Sequence, residues 1–251
     1  MSYRSLALWL LGYPEAALAD VDRAHEDARE VGQATTLMFA LRFTTFAQIF
    51  CGNYAEANAL VDELIVLADE KGALYWKASG IVSRGHLLAL AGKAADAIHM
   101  ITSGIAELKS TGAAVWAPLH LSLLASARAQ LGQFDDASHT IGEAMTVIET
   151  TKERWCEAEV NRIAGEVALM LPEPDATKAQ AYFDRALTVA RAQQAKSWEL
   201  RASMSLARLW RDQGKRKEAR NLLAPVYGWF TEGFDTLDLK EAKALLEELA
   251  A

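Results

Sequence analysis

The sequence has little proline and glycine, which account for five and fifteen of its 251 residues. Few residues are therefore available to shape long loops. Runs of Val, Ile and Thr, which favour strands, are also missing, whereas Leu, Ala, Glu, Lys and Arg dominate. This composition argues against a large β-sheet. It predicts an all-α protein whose 51% hydrophobic residues suffice for a buried core.

Cysteine and long apolar runs are scarce as well. Cys51 and Cys156 lie far apart without a CxxC motif, which is typical of reduced thiols packed in helices and favours the cytoplasm. No apolar run reaches the roughly 20 residues that span a bilayer. Arg4, a short apolar stretch and the sequence Ala17-Leu18-Ala19 resemble a signal peptide with its cleavage site, but the repeat described below explains the same residues. We therefore predict a cytoplasmic protein without a membrane partner.

The chain also lacks the signatures of nucleic-acid binding and catalysis. Its net charge of -7 gives no support for binding a nucleic-acid backbone, although it does not exclude a local basic patch. The nearest approach to a phosphate-binding loop, Gly80 to Gly85, continues with His86 instead of Lys. His99 and His139 stand in equivalent places of two helices, but no further ligand joins them at metal-binding spacing. We predict no catalytic residue, no cofactor and no metal.

What the sequence does contain is an internal repeat. A glycine recurs at the start of similar segments, and an alanine follows it five residues later. A copy with Pro174 in place of the glycine keeps the alanine. The alanines are spaced by 40 residues, once by 42: Ala17, Ala57, Ala97, Ala137, Ala179 and Ala219. Such regular spacing indicates a stack of structural repeats along the whole chain.

Two further series describe the inside of each repeat. Small residues recur every 40 positions where two helices would cross closely: Ser5, Thr45, Gly85, Ala125, Gly165 and Ser205. Gly32, Gly72 and Gly112 follow the second helix of a unit, where glycine can take the left-handed conformation that ends a helix. Each unit is therefore predicted as helix A, a tight turn, helix B and an exit turn.

The predicted helices form one domain, residues 1–251. After a short first A helix at 2–11, the A and B helices are predicted at 34–51 and 54–71, 74–91 and 94–109, 116–131 and 134–149, 153–170 and 176–192, and 195–213 and 216–224. The short first helix is what a chain cut from a longer protein would show. Pro225 should end or kink the last B helix near Ala224. Residues 236–251 should form a capping helix, with the aromatic residues at 227–234 filling the wedge before it.

The segment "GNYAEA", residues 52–57, resembles the second half of a tetratricopeptide repeat, with both helices extended. Residues 195–250 resemble the carboxyl end of large bacterial signalling ATPases, in which a class III adenylate/guanylate cyclase domain precedes a STAND-type ATPase and then such repeats. The resemblance implies a right-handed superhelix of about six antiparallel helix pairs with a capping helix. Neither catalytic domain is found in this sequence, so the chain itself is predicted not to be an enzyme.

In tetratricopeptide repeats the A helices line a concave groove. Counting from the small-residue series, the groove face steps by four, three and four residues along each A helix. Its mixed aromatic, cationic, hydroxyl and acidic lining is typical of a recognition surface. The candidate groove residues are Phe39, Arg42, Phe46, Tyr75, Ser79, His86, Ser122, Ser126, Trp155, Glu159, Arg162 and Glu166. The alternative is that Glu159, Arg162 and Glu166 merely pair with one another on one helix.

These observations favour a non-catalytic signalling module that binds a protein or peptide partner, or senses a small-molecule signal. By resemblance, it would be the regulatory repeat region of a bacterial signalling ATPase or nucleotide cyclase-like protein. A free-standing tetratricopeptide scaffold that assembles other proteins is the alternative. An enzyme remains a third reading, against which the absence of convergent polar motifs argues.

Overall fold

The computed structural model describes residues 1–250 and contains thirteen helices and no strand within that range. Twelve helices form six consecutive pairs, and the thirteenth covers the last pair. The helices are α1 Ser2–Leu11, α2 Pro14–Val31, α3 Ala34–Cys51, α4 Tyr54–Glu70, α5 Leu74–Leu90, α6 Ala94–Ser110, α7 Ala117–Gln130, α8 Phe134–Thr151, α9 Glu157–Met170, α10 Ala176–Ala192, α11 Lys196–Asp212, α12 Arg216–Tyr227 and α13 Leu237–Ala250. The predicted all-α helical-repeat fold is confirmed.

The small-residue series marks close contacts between paired helices. A methyl group on Gly85 would lie 2.6 Å from Cγ1 of Ile101, on the partner helix α6. A methyl group on Gly165 would overlap the ring of Phe183 on α10. Because any larger side chain would push the two helices apart, these positions fix the A–B register that the sequence predicts.

The turn geometry repeats even where glycine is absent. Gly32, Gly72 and Gly112 all have positive φ after the second helix of a unit, as predicted. Forty residues after Gly112 stands Lys152, which keeps the left-handed conformation with φ 62°. A side chain in this region is unfavourable by about 1–2 kcal/mol. The repeated helix packing therefore imposes the turn, and glycine only makes it easier to adopt.

Helix α12 differs from the prediction that it stops near Ala224. It runs on through Pro225 to Tyr227. Pro225 lies in the last turn, where the missing N–H removes only one helical hydrogen bond. The amide of Gly228 donates to the carbonyl of Ala224 at 2.9 Å, so the last turn is closed beyond the proline.

The last helix covers the final pair, as predicted. Leu239, Ala242, Leu245 and Leu249 form one buried stripe of α13 and pack with residues of α11 and α12 such as Leu223. The aromatic segment before α13 fits the predicted wedge only in part. Phe230 is buried, whereas Trp229 and Phe234 are 39% and 48% exposed.

The same segment joins the two ends of the superhelix. The carboxylate of Glu232 accepts a hydrogen bond from the amide of Ala16 at 3.0 Å, in the first turn of α2. The amide of Gly233 donates to the carboxylate of Glu15 at 2.7 Å. Helices α1 and α11 also touch, and the hydroxyl of Ser197 donates to the carbonyl of Trp9. The A helices of the first and last pairs therefore enclose the space that an open groove would occupy.

Helix α3 packs against α1, α2, α4 and α5. It is the one helix in residues 1–250 that is long and apolar enough to cross a membrane by length and composition. Thirteen of its residues, among them Leu41 and Phe46, are buried within the fold. Its apolar character is thus explained by packing in the protein interior, with Arg42 as the buried charge in its middle.

Candidate functional site

The predicted groove residues lie on the A helices, but half of them are buried. The buried six are Arg42, Phe46, Ser79, His86, Ser122 and Glu159. The partly buried six are Phe39, Tyr75, Ser126, Trp155, Arg162 and Glu166. The face was expected to be open to solvent, and the closure of the superhelix turns much of it into a polar interior. Its role in binding a partner stays a prediction.

Arg42 occupies an aromatic box in this interior. Its guanidinium carbon lies 4.3 Å from the ring centre of Phe46, 5.1 Å from that of Trp116 and 5.8 Å from that of Phe43. The rings of Phe46 and Trp116 are themselves stacked at 4.7 Å. Aromatic faces attract a cation, by about 2 kcal/mol when both groups are desolvated.

The aromatic box gives Arg42 no counter-charge. The residue is 1% exposed, and no carboxylate in residues 1–250 forms an ion pair with it. Nη2 lies 3.4 Å from Nε2 of His120, while Nε and Nη1 have no hydrogen-bond acceptor in the described part of the chain. Burial lowers the pKa of Arg42 to about 10. Arg42 is therefore a desolvated cation with free donors, an arrangement that costs stability unless something compensates it.

Arg201 provides a direct comparison within the same interior. Its guanidinium carbon also lies among three rings, 5.0 Å from Trp9, 5.2 Å from Phe50 and 5.3 Å from Trp198. Unlike Arg42, it has carboxylate partners: Asp238 at 2.7 Å and Glu159 at 3.5 Å.

These carboxylates reverse the effect of burial on the pKa. Burial alone would lower the pKa of Arg201, but Asp238 and Glu159 raise it above its ordinary value. Nη2 of Arg201 also donates to the carbonyl of Phe50 at 3.1 Å. Two arginines in similar aromatic boxes thus differ in their partners: Arg201 has two carboxylates and a carbonyl, whereas Arg42 has none of these and is also more deeply buried.

A third arginine completes the polar interior. Arg162 donates to both carboxylate oxygens of Glu159, at 2.7 and 2.8 Å, and forms an ion pair with Glu166. Burial opposes the charged form, but Glu159 and Glu166 raise the pKa of Arg162. The three residues do pair along α9, as the alternative reading expects, but Glu159 also pairs with Arg201, and Glu166 accepts a hydrogen bond from Ser205, both on α11. These partners leave the three residues little capacity for a ligand.

Two buried histidines lie between the arginines. Burial and the charge of Arg201 lower the pKa of His86 to about 4. Burial, with Arg42 and His86 nearby, lowers the pKa of His120 well below its usual value. Both imidazoles are therefore neutral at pH 7 and add no charge to offset or oppose that of Arg42.

Two cavities flank the loop of residues 113–116. The α1 cavity, of about 670 Å³, lies between α1, this loop and the loop before α9, and is lined by Tyr3, Leu6, Ala7, Leu10, Ala114, Val115, Trp116, Thr151, Glu153 and Trp155. The α8 cavity, of about 680 Å³, lies between α6, α7 and α8 and includes Leu108, Leu121, Val147, His139 and Glu143. Ala114, Val115 and Thr151 line both cavities. Volumes of this size are typical of small-ligand sites.

The loop between the cavities is held in an unusual conformation. Trp116 has a positive φ of 74°, which is strained for an aromatic residue. Its amide donates to the two carboxylate oxygens of Glu153 at 2.8 and 3.1 Å, and Nε1 of Trp155 donates to the same carboxylate at 3.0 Å. Glu153 thus ties the 113–116 loop to the loop before α9, a helix that begins at Glu157, later than predicted. Val115, at the tip, is 62% exposed.

Sequence reasoning missed Trp116, His120, Arg201 and Asp238. Extending the groove-face spacing to α11 leads to Glu199 and Ala202, so Arg201 lies just outside the predicted face. Trp116 and Asp238 stand at the edges of helices, where helical spacing gives no prediction. The available signal was that tryptophan and arginine are enriched at binding sites.

The remaining candidates for chemistry are two buried thiols and a surface histidine. Cys51 and Cys156 are free and buried, and burial raises the pKa of Cys51 to about 12, so this thiol is unreactive. His139 lies on the surface, 3.4 Å from Glu143. No group of three metal-ligating side chains comes together in residues 1–250.

Comparisons with known proteins bear on the fold. No family model and no curated protein matches the sequence. Among solved structures, the chain is similar to the crystal structure of the apo form of RapI, with a TM-score of 0.67 over 98% of this chain and 83% of that one. The two sequences are 11% identical, so the similarity concerns the fold. RapI is a helical-repeat protein of tetratricopeptide type, and the present chain has the same class of fold.

Proposed function

We propose that this chain is a non-catalytic module that senses a ligand and transmits its presence to a protein partner. The observation that carries the proposal is the pair of cavities that share the exposed 113–116 loop. A ligand in either cavity would contact this loop directly. Because the loop is strained at Trp116, a bound ligand has a means to change its conformation and the surface around Val115.

The lining of the cavities supports ligand binding rather than catalysis. Aliphatic and aromatic side chains dominate the α1 cavity, with Glu153 as its charged residue, and the carboxylate of Glu153 is occupied by Trp116 and Trp155. The α8 cavity is more polar, since Lys109, His120, His139 and Glu143 all line it, and His139 pairs with Glu143 on the surface. Apolar walls with few polar groups, as in the α1 cavity, are the usual form of a binding pocket.

The wider context we propose is that of a cytoplasmic bacterial signalling protein. The resemblance of residues 195–250 to the repeats of signalling ATPases linked to nucleotide cyclases supports it. In that setting the protein partner would be the ATPase, and the module would change its activity when the ligand binds. A free-standing scaffold is the alternative. A neighbouring or fused reading frame with a phosphate-binding loop would favour the regulatory module, and a lone gene the scaffold.

The proposal is tested at the loop that both cavities share. Val115→Asp places a charge at its tip, and Val66→Asp is the matched control because Val66 is 58% exposed on α4 and lines neither cavity. The candidate ATPase, co-expressed with each variant, should bind the wild type and Val66→Asp but not Val115→Asp. Equal binding of all three would place the interface elsewhere. The purified chain should neither hydrolyse ATP nor form a cyclic nucleotide.

A further inference from the structure

We propose that the α1 cavity binds a small organic acid, whose single carboxylate pairs with Arg42 and whose apolar body lies against Tyr3, Leu6 and Trp155. This inference rests on the proposed ligand-sensing function and specifies the chemistry of the ligand. It names Arg42 as the residue that selects an anion, and Trp116 as the side chain that moves to admit it.

The comparison with Arg201 supplies the first argument. Both arginines are surrounded by three aromatic rings, and Arg201 has two carboxylates within 3.5 Å. Arg42 has none in residues 1–250, and its Nε and Nη1 donors are free. Buried charges in proteins are paired, and buried donors are satisfied. The chain itself supplies the carboxylates that pair with Arg201. We therefore expect a ligand to supply the carboxylate that pairs with Arg42.

The position of Trp116 supplies the second argument. Its ring lies 5.1 Å from the guanidinium carbon of Arg42 and also forms part of the wall of the α1 cavity. Tyr3, another wall residue, packs at 4.2 Å on the ring of Phe43, the third ring of the Arg42 box. The ring of Trp116 is therefore next to both the α1 cavity and the guanidinium of Arg42. The backbone of Trp116 is held by Glu153, so the rearrangement that exposes Arg42 is a rotation of the Trp116 side chain.

The charges around the cavity indicate a single negative charge on the ligand. Arg42 contributes one positive charge, and His120 beside it is neutral. Glu153 lines the same cavity with a negative charge. A doubly charged phosphate would be repelled by Glu153 and incompletely neutralised, whereas one carboxylate matches Arg42. The cavity volume of about 670 Å³ fits a small molecule with an aromatic or branched body.

The experiment compares acids with alcohols of the same shape. Isothermal titration is carried out with 4-phenylbutyrate and 4-phenylbutan-1-ol, with indole-3-butyrate and indole-3-butanol, and with octanoate and octan-1-ol. The variants are wild type, Arg42→Met, which removes the charge at similar volume, and Arg42→Lys, which keeps it. A charge-assisted hydrogen bond in a desolvated site should favour at least one acid over its alcohol by roughly tenfold to a hundredfold in wild type. Arg42→Met should abolish the preference, and Arg42→Lys should retain part of it.

The possible outcomes separate this inference from the proposed function. If acids and alcohols bind equally to wild type, the cavity is a ligand site but Arg42 does not select the ligand. If the acid preference persists in Arg42→Met, another group binds the carboxylate and the inference is wrong. If no compound binds, both the inference and the ligand-sensing part of the proposed function fail. A peptide with a free carboxyl end that binds more tightly than every acid would replace the small molecule as the ligand class.

Discussion

The unequal environments of Arg42 and Arg201 make a prediction about stability. Arg42→Met should leave the free energy of unfolding unchanged or increase it, whereas Arg201→Met should decrease it strongly. The two substitutions remove the same charge from similar aromatic boxes, on the A helices α3 and α11. They differ in what remains, since Arg201→Met leaves Asp238 and Glu159 without their partner.

The expected magnitudes follow from the pKa and the contacts. Burial lowers the pKa of Arg42 from its ordinary range to about 10. At about 1.4 kcal/mol per pKa unit, this corresponds to about 3 kcal/mol against the buried charge. Loss of the attraction to the aromatic rings offsets about 2 kcal/mol of that. Arg42→Met should therefore be between neutral and about 2 kcal/mol more stable.

Arg201→Met acts in the opposite direction. Removing one partner of a buried ion pair typically costs about 3–5 kcal/mol, because the other charge stays buried without compensation. Glu159 keeps its contacts with Arg162, which places the expected loss near the lower end, at about 3 kcal/mol. Asp238 is already unfavourable as an anion, because burial raises its pKa even with Arg201 present.

Urea unfolding at pH 7, followed by circular dichroism, gives the change in the free energy of unfolding for each variant. The comparison requires that this free energy depends on urea concentration with the same slope in wild type, Arg42→Met and Arg201→Met. The free energies of unfolding of the two variants should differ by at least about 3 kcal/mol. If Arg42→Met lost as much stability as Arg201→Met, the aromatic box alone would compensate a buried guanidinium. The missing carboxylate would then carry no information about a ligand.

Three further predictions concern the interior and the repeat. Because burial lowers the pKa of His86 to about 4, the unfolded state binds a proton that the folded state does not between about pH 6.5 and pH 4. Stability should therefore fall by up to about 3 kcal/mol as the pH decreases through this window, and His86→Gln should show a shallower decrease in urea unfolding from pH 7 to pH 5. Gly165→Ala should lower the free energy of unfolding by about 1–3 kcal/mol, because the new methyl group meets the ring of Phe183. The control is Gly142→Ala, which should raise it by about 0.5–1 kcal/mol because nothing lies within 4 Å of the new methyl group. Equal melting temperatures for the two variants would contradict the helix contact at Gly165. Lys152→Gly should raise the free energy of unfolding by about 1 kcal/mol, because glycine adopts the positive φ of this position without strain. The melting temperature should rise accordingly, and no rise would mean that Lys152 is unstrained.

Much of the fold could be predicted from the sequence because each repeat is defined locally. Residues such as Gly85 and Ala97 specify the contact of one helix with the next, and the contact recurs in similar form along the chain. Pro225 shows the limit of such rules. Its effect on α12 depends on how many hydrogen bonds follow it, and the amide of Gly228 closes the last turn despite the proline.

The candidate site was predictable only in part. The spacing of four, three and four residues selected Arg42, His86 and Glu159, which do face the interior of the superhelix. It could not show that this interior is closed. Closure depends on contacts between residues far apart in sequence, such as Trp9 with Ser197 and Glu15 with Gly233, at separations of 188 and 218 residues. No local pattern distinguishes these residues from those of an open superhelix.

Closure also determines where a ligand can reach the polar interior. In an open superhelix, Arg42 would be a solvated cation in the groove, and its lack of a carboxylate partner would say little about a ligand. Here the ends are joined by the segment before α13, and the A helices enclose Arg42 so that it is 1% exposed. The ring of Trp116 lies 5.1 Å from the guanidinium carbon of Arg42 and forms part of the wall of the α1 cavity. Because the other two arginines of this interior, Arg162 and Arg201, are already paired with carboxylates, the charge at Arg42 is what the closed fold offers to a ligand entering from this cavity.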